Sequence, residues 1–300
     1  MFKVLNIFIY NILSLKHIRD RIYKLFKSEK DCLYYETFVR EMNNFSSSLG
    51  LTNTNWINAS GLQNNGTFSF STARDMARMG LIAYMQDDIN KFWSEKEYTL
   101  QIVKPYIIPL FNKKYKKAIS TIPYTKLGPY EILGAKTGTG DGYNALLCVC
   151  RVANKIVSGV VLDSVKESER FSVMKDLMDI ALEQIRGNKH EATPRLEKAK
   201  MACAYVIEES ELICIYEQNA DSKYPVMSLA KVMTFMVFSK YIRNYSGLIR
   251  ISPLDLDKSD ILKSWEKVKI CSLIYLMLLP SSCTAADALA RYVGKLIYYR

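Results

Sequence analysis

Histidine is almost absent: the 300 residues contain only His17 and His190, and neither sits in a motif. A Ser-His-Asp or Cys-His mechanism and a histidine-rich metal site therefore have no sequence support, so hydrolytic chemistry here needs another base. Long apolar runs are missing too. The N-terminal stretch MFKVLNIFIYNILSLKHIRD offers only Val4 to Leu15, broken by two asparagines and followed by no small-residue cleavage site. That is too short to span a bilayer comfortably, and for residues 1–36 an amphipathic helix and a degenerate export signal or anchor both stay open. The seven cysteines are an odd number and most lie in apolar runs, where cysteine behaves as a small hydrophobe, so neither a disulfide framework nor a zinc site follows. The formal charge of +11 suits an anionic surface such as nucleic acid, acidic lipid or an anionic polymer matrix, but no basic run singles one out.

What is present is a globular composition, 49% hydrophobic and 24% charged, long enough for one large domain or two modest ones. Apolar residues from Phe38 to Leu49 keep helical spacing, with Gly50 as the stop. STARDMARMGLIAYM predicts a second helix capped by Thr72, with Asp75 three residues on. Residues 97–103, 145–152 and 155–162 read as strands, the last two joined by a tight Ala153-Asn154 turn. An amphipathic helix is expected from about Val165 to Ile185, closed by Gly187. The charged segment 187–200 is the best linker in the chain, and after it the pattern resets. Residues 202–217 read as a hairpin, VMSLAKVMTFMVF (226–238) as a helix, and PSSCTAADALARYVG (280–294) as another helix ending at Gly294. The fold class is α+β: a largely antiparallel sheet flanked by helices, plus a helical subdomain.

The 226–238 helix is apolar on every face except at Ser228, Lys231 and Thr234. A lysine is seldom buried without a partner, because an unpaired ammonium in an apolar interior is costly. Ser228 and Lys231 are three apart and share a helix face, so the amine can reach the hydroxyl. A desolvated lysine of depressed pKa can take a serine proton at neutral pH; a snorkelling lysine at the helix edge is the plainer reading. In GAKTGTG (134–140), Lys136 and Thr137 offer a cation and a hydroxyl to a carboxylate, and a backbone N–H near Thr139 could serve an oxyanion; alternatively this is a glycine-rich turn. Ser281-Ser282-Cys283, taken alone, reads as the N-cap of its helix.

Together these three segments resemble the motifs of the penicillin-binding protein and serine β-lactamase fold, and most closely the low-molecular-weight serine-type D-alanyl-D-alanine carboxypeptidases. YEQNADSKYPVMSLAKVMTF resembles that family's approach to its nucleophile, and LIYLMLLPSSCTAADALARYVG the surroundings of its second motif. FVREMNNFSSSLGLTNTNWINASGL, STARDMARMG and ILGAKTGTGDGYNALLCVC resemble later segments. The resemblance implies Ser228 as acyl-ester nucleophile, Lys231 as proton acceptor and Ser281 as proton relay. It implies that Lys136, Thr137, Gly138, Thr139 and Cys283 bind substrate, with the N–H groups of Ser228 and Thr139 as oxyanion hole. It implies no metal or organic cofactor, peptidoglycan stem peptides as substrate, β-lactams as inhibitors, no nucleic-acid partner and a place in the cell envelope. A serine β-lactamase is less supported, since no extra deacylating carboxylate is evident.

Two departures stand out. The second motif ordinarily ends in asparagine, and here that position is Cys283, whose thiol cannot replace an amide and a carbonyl; one or two such hydrogen bonds are worth roughly 1–3 kcal/mol. The motif order is also permuted, because Lys136-Thr137-Gly138 precedes Ser228. Residues 37–186 read as the C-terminal half of a peptidase domain, 187–200 as the linker and 201–300 as the N-terminal half, following the 1–36 extension. A circular permutant and a fusion whose halves swap between molecules are the two accounts, and the short linker favours the first. A catalytically weakened scaffold that binds cell-wall peptide or a partner is the alternative function. Membrane association stays open.

Overall fold

The helical spacing at 38–49 belongs to a longer helix, α1 (Glu29–Ser48), which ends where Gly50 turns left-handed at φ 70°. The computed structural model describes residues 29–103, 113–140, 142–188, 194–258 and 260–300. Both histidines and the stretch Met1–Ser28 lie outside them, and with it most of the expected N-terminal helix or signal. After α1 come β1 (Phe70–Ser71), α2 (Ala73–Tyr84), α3 (Asp87–Trp93), β2 (Glu97–Val103) and β3 (Lys113–Ile119). The α2 start is as expected: the Thr72 hydroxyl accepts from the Asp75 N–H at 3.1 Å, satisfying a donor that the helix cannot.

Three long strands follow, β4 (Glu131–Gly140), β5 (Tyr143–Val152) and β6 (Lys155–Ser164), then α4 (Glu169–Ile185), β7 (Ala199–Glu208) and β8 (Glu211–Gln218). The expected Ala153-Asn154 turn is present, with Ala153 at φ 50° as a tight hairpin demands. The five strands form one antiparallel sheet in chain order, β4 to β8. The 187–200 segment leads from α4 into β7, which contacts that helix and pairs with β6 in a register that sets Val160 opposite Cys203.

One expectation needs correction here. The helix placed from Val165 begins only at Glu169, because the Val165 N–H is bound to the Lys198 carbonyl, which holds it beside the incoming β7 strand. Once started, α4 covers one face of the sheet, burying Phe171, Met174, Leu177, Met178 and Ala181 against Leu146, Cys148, Val161, Ala202 and Ala204. The opposite face packs on α2 and the helices that follow. Both faces being covered, β5 and β6 are almost continuously buried and not alternating.

The remaining elements are β9 (Tyr224–Pro225), α5 (Ala230–Tyr241), β10 (Leu248–Arg250), β11 (Lys267–Lys269), α6 (Ile270–Leu278) and α7 (Cys283–Tyr298). A small second sheet runs β10-β11-β2-β3, and β1 pairs with β9. Every residue of α5 from Ala230 to Ser239 is buried, as befits a helix apolar all round. The α7 helix does not stop at Gly294 as its glycine suggested. A Cβ on that residue would lie 1.8 Å from the Tyr34 carbonyl oxygen, so the glycine is there to let α7 touch α1, and the helix runs on to Tyr298. Gly294→Ala should therefore destabilise by about 1–3 kcal/mol through overpacking, against the ~1 kcal/mol gain that helix propensity alone would give. Denaturant unfolding of the variant checks the sign.

Candidate active site

Ser228 does not sit inside α5 but in a tight turn, Met227–Leu229, that feeds it. Met227 is held at φ 48°, a left-handed conformation that a methionine adopts only when its surroundings enforce it. The enforcing neighbours are backbone. A Cβ on Gly61 would lie 2.0 Å from the Met227 carbonyl oxygen, and one on Gly138 would lie 2.7 Å from the Val226 carbonyl oxygen. Strand β4 and the 58–61 loop thus press on the turn from two directions, and only glycine fits at either contact.

Lys231 lies fully buried on the first turn of α5, and its amine makes three contacts: Ser60 carbonyl at 2.7 Å, Ser228 Oγ at 2.8 Å and Cys283 Sγ at 3.3 Å. The snorkelling alternative fails, since the amine never reaches solvent. An amine this close to a serine hydroxyl can take its proton whenever the amine is neutral. Cys283, at the head of α7, offers Lys231 a soft acceptor; burial pushes its thiol up, and the neighbouring Lys231 charge pulls the other way.

Lys136 lies within β4, not in a turn, and is 1% exposed. Its amine donates to Ser281 Oγ at 2.8 Å and to the Thr137 carbonyl at 3.0 Å. Burial holds this ammonium well below the usual lysine range, and the nearby Lys231 charge lowers it further. Ser281 is not the helix cap: it stands at φ 67° just before α7, while Ser282 caps by accepting from the Ala285 N–H at 3.0 Å and bonds Asp260. The sequence left both roles to the Ser-Ser pair. The structure divides them, because only the left-handed residue turns its hydroxyl to Lys136.

Thr137 Oγ1 shares a hydrogen bond of 2.9 Å with Thr121, and exposed Thr139 accepts from Arg170 at 2.6 Å. Arg170 escaped the sequence reading because a lone arginine on an amphipathic helix has no distinguishing spacing. It is 2% exposed, reaches the Gly138 carbonyl at 3.3 Å and pairs with Glu167 at 3.0 Å, while its Nε has no protein partner. A cleft of about 420 Å³ lined by Thr121, Lys126, Glu167, Arg170 and Phe171 opens beside it.

The three sequence motifs, read from positions 136, 228 and 281, therefore meet within one chain. Residues 34–165 match the model of a family described as D-alanyl-D-alanine carboxypeptidase. Two curated relatives carry the same description: D-alanyl-D-alanine carboxypeptidase DacC of Escherichia coli is 32% identical over 147 residues, 48% of this chain and 32% of the relative. D-alanyl-D-alanine carboxypeptidase DacF of Bacillus subtilis is 30% identical over 150 residues, 50% of this chain and 36% of the relative. The chain spans about a third of the length of these relatives. The α+β fold with its five-stranded antiparallel sheet is consistent with the DD-peptidase fold of this family. Among the described residues no helix is long and apolar enough to cross a membrane.

Proposed function

We propose that the protein is a serine-type D-alanyl-D-alanine carboxypeptidase that removes the terminal D-alanine from peptidoglycan stem peptides. The observation that carries the reading is the buried Lys231 amine at 2.8 Å from Ser228 Oγ. In this reading Lys136 and Thr137, with Arg170 steering the strand beside them, hold the terminal carboxylate. Neutral Lys231 takes the Ser228 proton as Oγ attacks the carbonyl of the penultimate D-alanine, and the N–H groups of Ser228 and Thr139 face the oxyanion. Collapse expels D-alanine, whose nitrogen receives the proton from Lys231 through Ser281. Water, deprotonated by the same amine, then hydrolyses the ester on Ser228. No cofactor enters any step. A β-lactam would be attacked in the same way, its ring opening instead of a leaving group departing.

The domain reading goes with it: residues 37–186 and 201–300 act as complementary halves of one peptidase domain in permuted order, joined by 187–200. The β6–β7 register and the Lys136–Ser281 hydrogen bond support it. The cell envelope is the proposed place of action, where a chain of charge +11 would meet an anionic wall. One observation favours a second reading, a weakened scaffold that binds cell-wall peptide without turning it over: the thiol of Cys283 stands where the resemblance calls for an amide. The two readings part on D-alanine release from an N-acylated peptide ending in D-alanyl-D-alanine. Release that disappears in Ser228→Ala supports the enzyme; tight binding of the peptide without release supports the scaffold.

A further inference from the structure

A polar cluster beside Lys231 has no part in the acyl-transfer steps. Asp287 lies one turn beyond Cys283 on α7, among the buried Ala285, Ala286, Ala288 and Leu289. Its Oδ1 accepts from the Tyr35 hydroxyl of α1 at 3.0 Å, and its carboxylate also bonds the Ser60 side chain. The Tyr35 oxygen in turn accepts from the Ala59 N–H at 3.0 Å, while the Thr234 hydroxyl donates to the Ala59 carbonyl at 2.7 Å. Residues 59 and 60 are thus pinned at one N–H, one carbonyl and one side chain. The carbonyl left over, that of Ser60, is the one that receives Lys231, and the next residue is the Gly61 that abuts Met227.

We infer that Asp287 is a positioning residue for Lys231: with Tyr35 it fixes the 59–61 strap whose Ser60 carbonyl holds the amine. The inference rests on the proposed role of Lys231. The charged and titratable groups around Asp287 are Tyr35 from α1, Lys231 from α5, Cys283 and Arg291 of its own helix, and Asp255, which Arg291 holds at 2.8 Å. Burial pushes the Asp287 carboxyl up to about 7; the Tyr35 hydroxyl, Lys231 and Ser60 oppose that, and Asp255 adds to it. A carboxyl with that titration gains its charge across the neutral range.

Asp287→Asn keeps the hydrogen-bond acceptor and removes the charge. Asp287→Ala, which drops the acceptor, should slow Ser228 acylation by a labelled penicillin roughly 10–100-fold, while Asp287→Asn should stay close to the unmodified protein. With ¹³C-labelled lysine, the Lys231 Cε resonance, assigned by its loss in Lys231→Met, should move in Asp287→Ala and stay near its original place in Asp287→Asn. An unmoved resonance in a folded Asp287→Ala variant overturns the inference, since a carboxylate that does not position the amine would leave it where it was. If the unmodified protein is never acylated, the carboxypeptidase reading fails while the resonance still decides the role of Asp287.

Discussion

A Lys231→Met variant should acylate at Ser228 roughly 10²–10⁴ times more slowly, the usual range for removing a positioned general base. Methionine fills nearly the same volume without a charge, and the site is fully buried among Val232, Phe235 and other apolar residues. The Ser60 carbonyl loses its donor, so the fold should hold at a cost of about 1–3 kcal/mol. The two readouts should separate: the rate collapses by orders of magnitude while the protein stays folded with a modestly lowered unfolding midpoint. Stopped-flow or gel-based acylation beside denaturant unfolding measures both. A rate that falls only in proportion to lost folded protein would reduce Lys231 to a structural residue.

Cys283→Asn should act in the other direction. The thiol lies 3.3 Å from the Lys231 amine, in contact with the centre of the site but able to offer it only a weak acceptor. An asparagine there gives a stronger acceptor to the amine and an amide donor to the substrate. One or two regained hydrogen bonds of about 1–3 kcal/mol correspond to roughly 5- to 150-fold in acylation rate. Unchanged kinetics in a folded Cys283→Asn variant would mean that some other group already supplies the missing contacts. Arg170, buried beside Thr139, would be the first to examine.

The sequence made the chemistry legible where local geometry suffices. Ser228 and Lys231 are three residues apart, a spacing that brings an amine to a hydroxyl even across the tight turn that feeds α5. The strands at 97–103, 145–152 and 155–162 and the 202–217 hairpin were readable because apolar β-runs are punctuated there by turn residues. Other features depend on distant backbone and have no local signature. Gly294 looked like a helix stop, and only the Tyr34 carbonyl pressed against it shows otherwise. GAKTGTG looked as much like a turn as a strand, since its glycines serve close approach to Trp93, Val226 and Met227 and not chain reversal. Asp287 and Tyr35 are 252 residues apart, and no spacing rule joins them. The same holds for Arg170, whose partner Thr139 is 31 residues away.

The central claim is that one chain, read in permuted order, assembles a lysine-activated serine that forms an ester. Intact-mass measurement of the protein after incubation with benzylpenicillin, followed by peptide mapping, addresses it most directly. The account predicts a mass gain of one penicillin molecule, carried on the peptide that contains Ser228 and absent from Ser228→Ala. A folded protein that gains no mass, or an adduct mapped to any other residue, would contradict it.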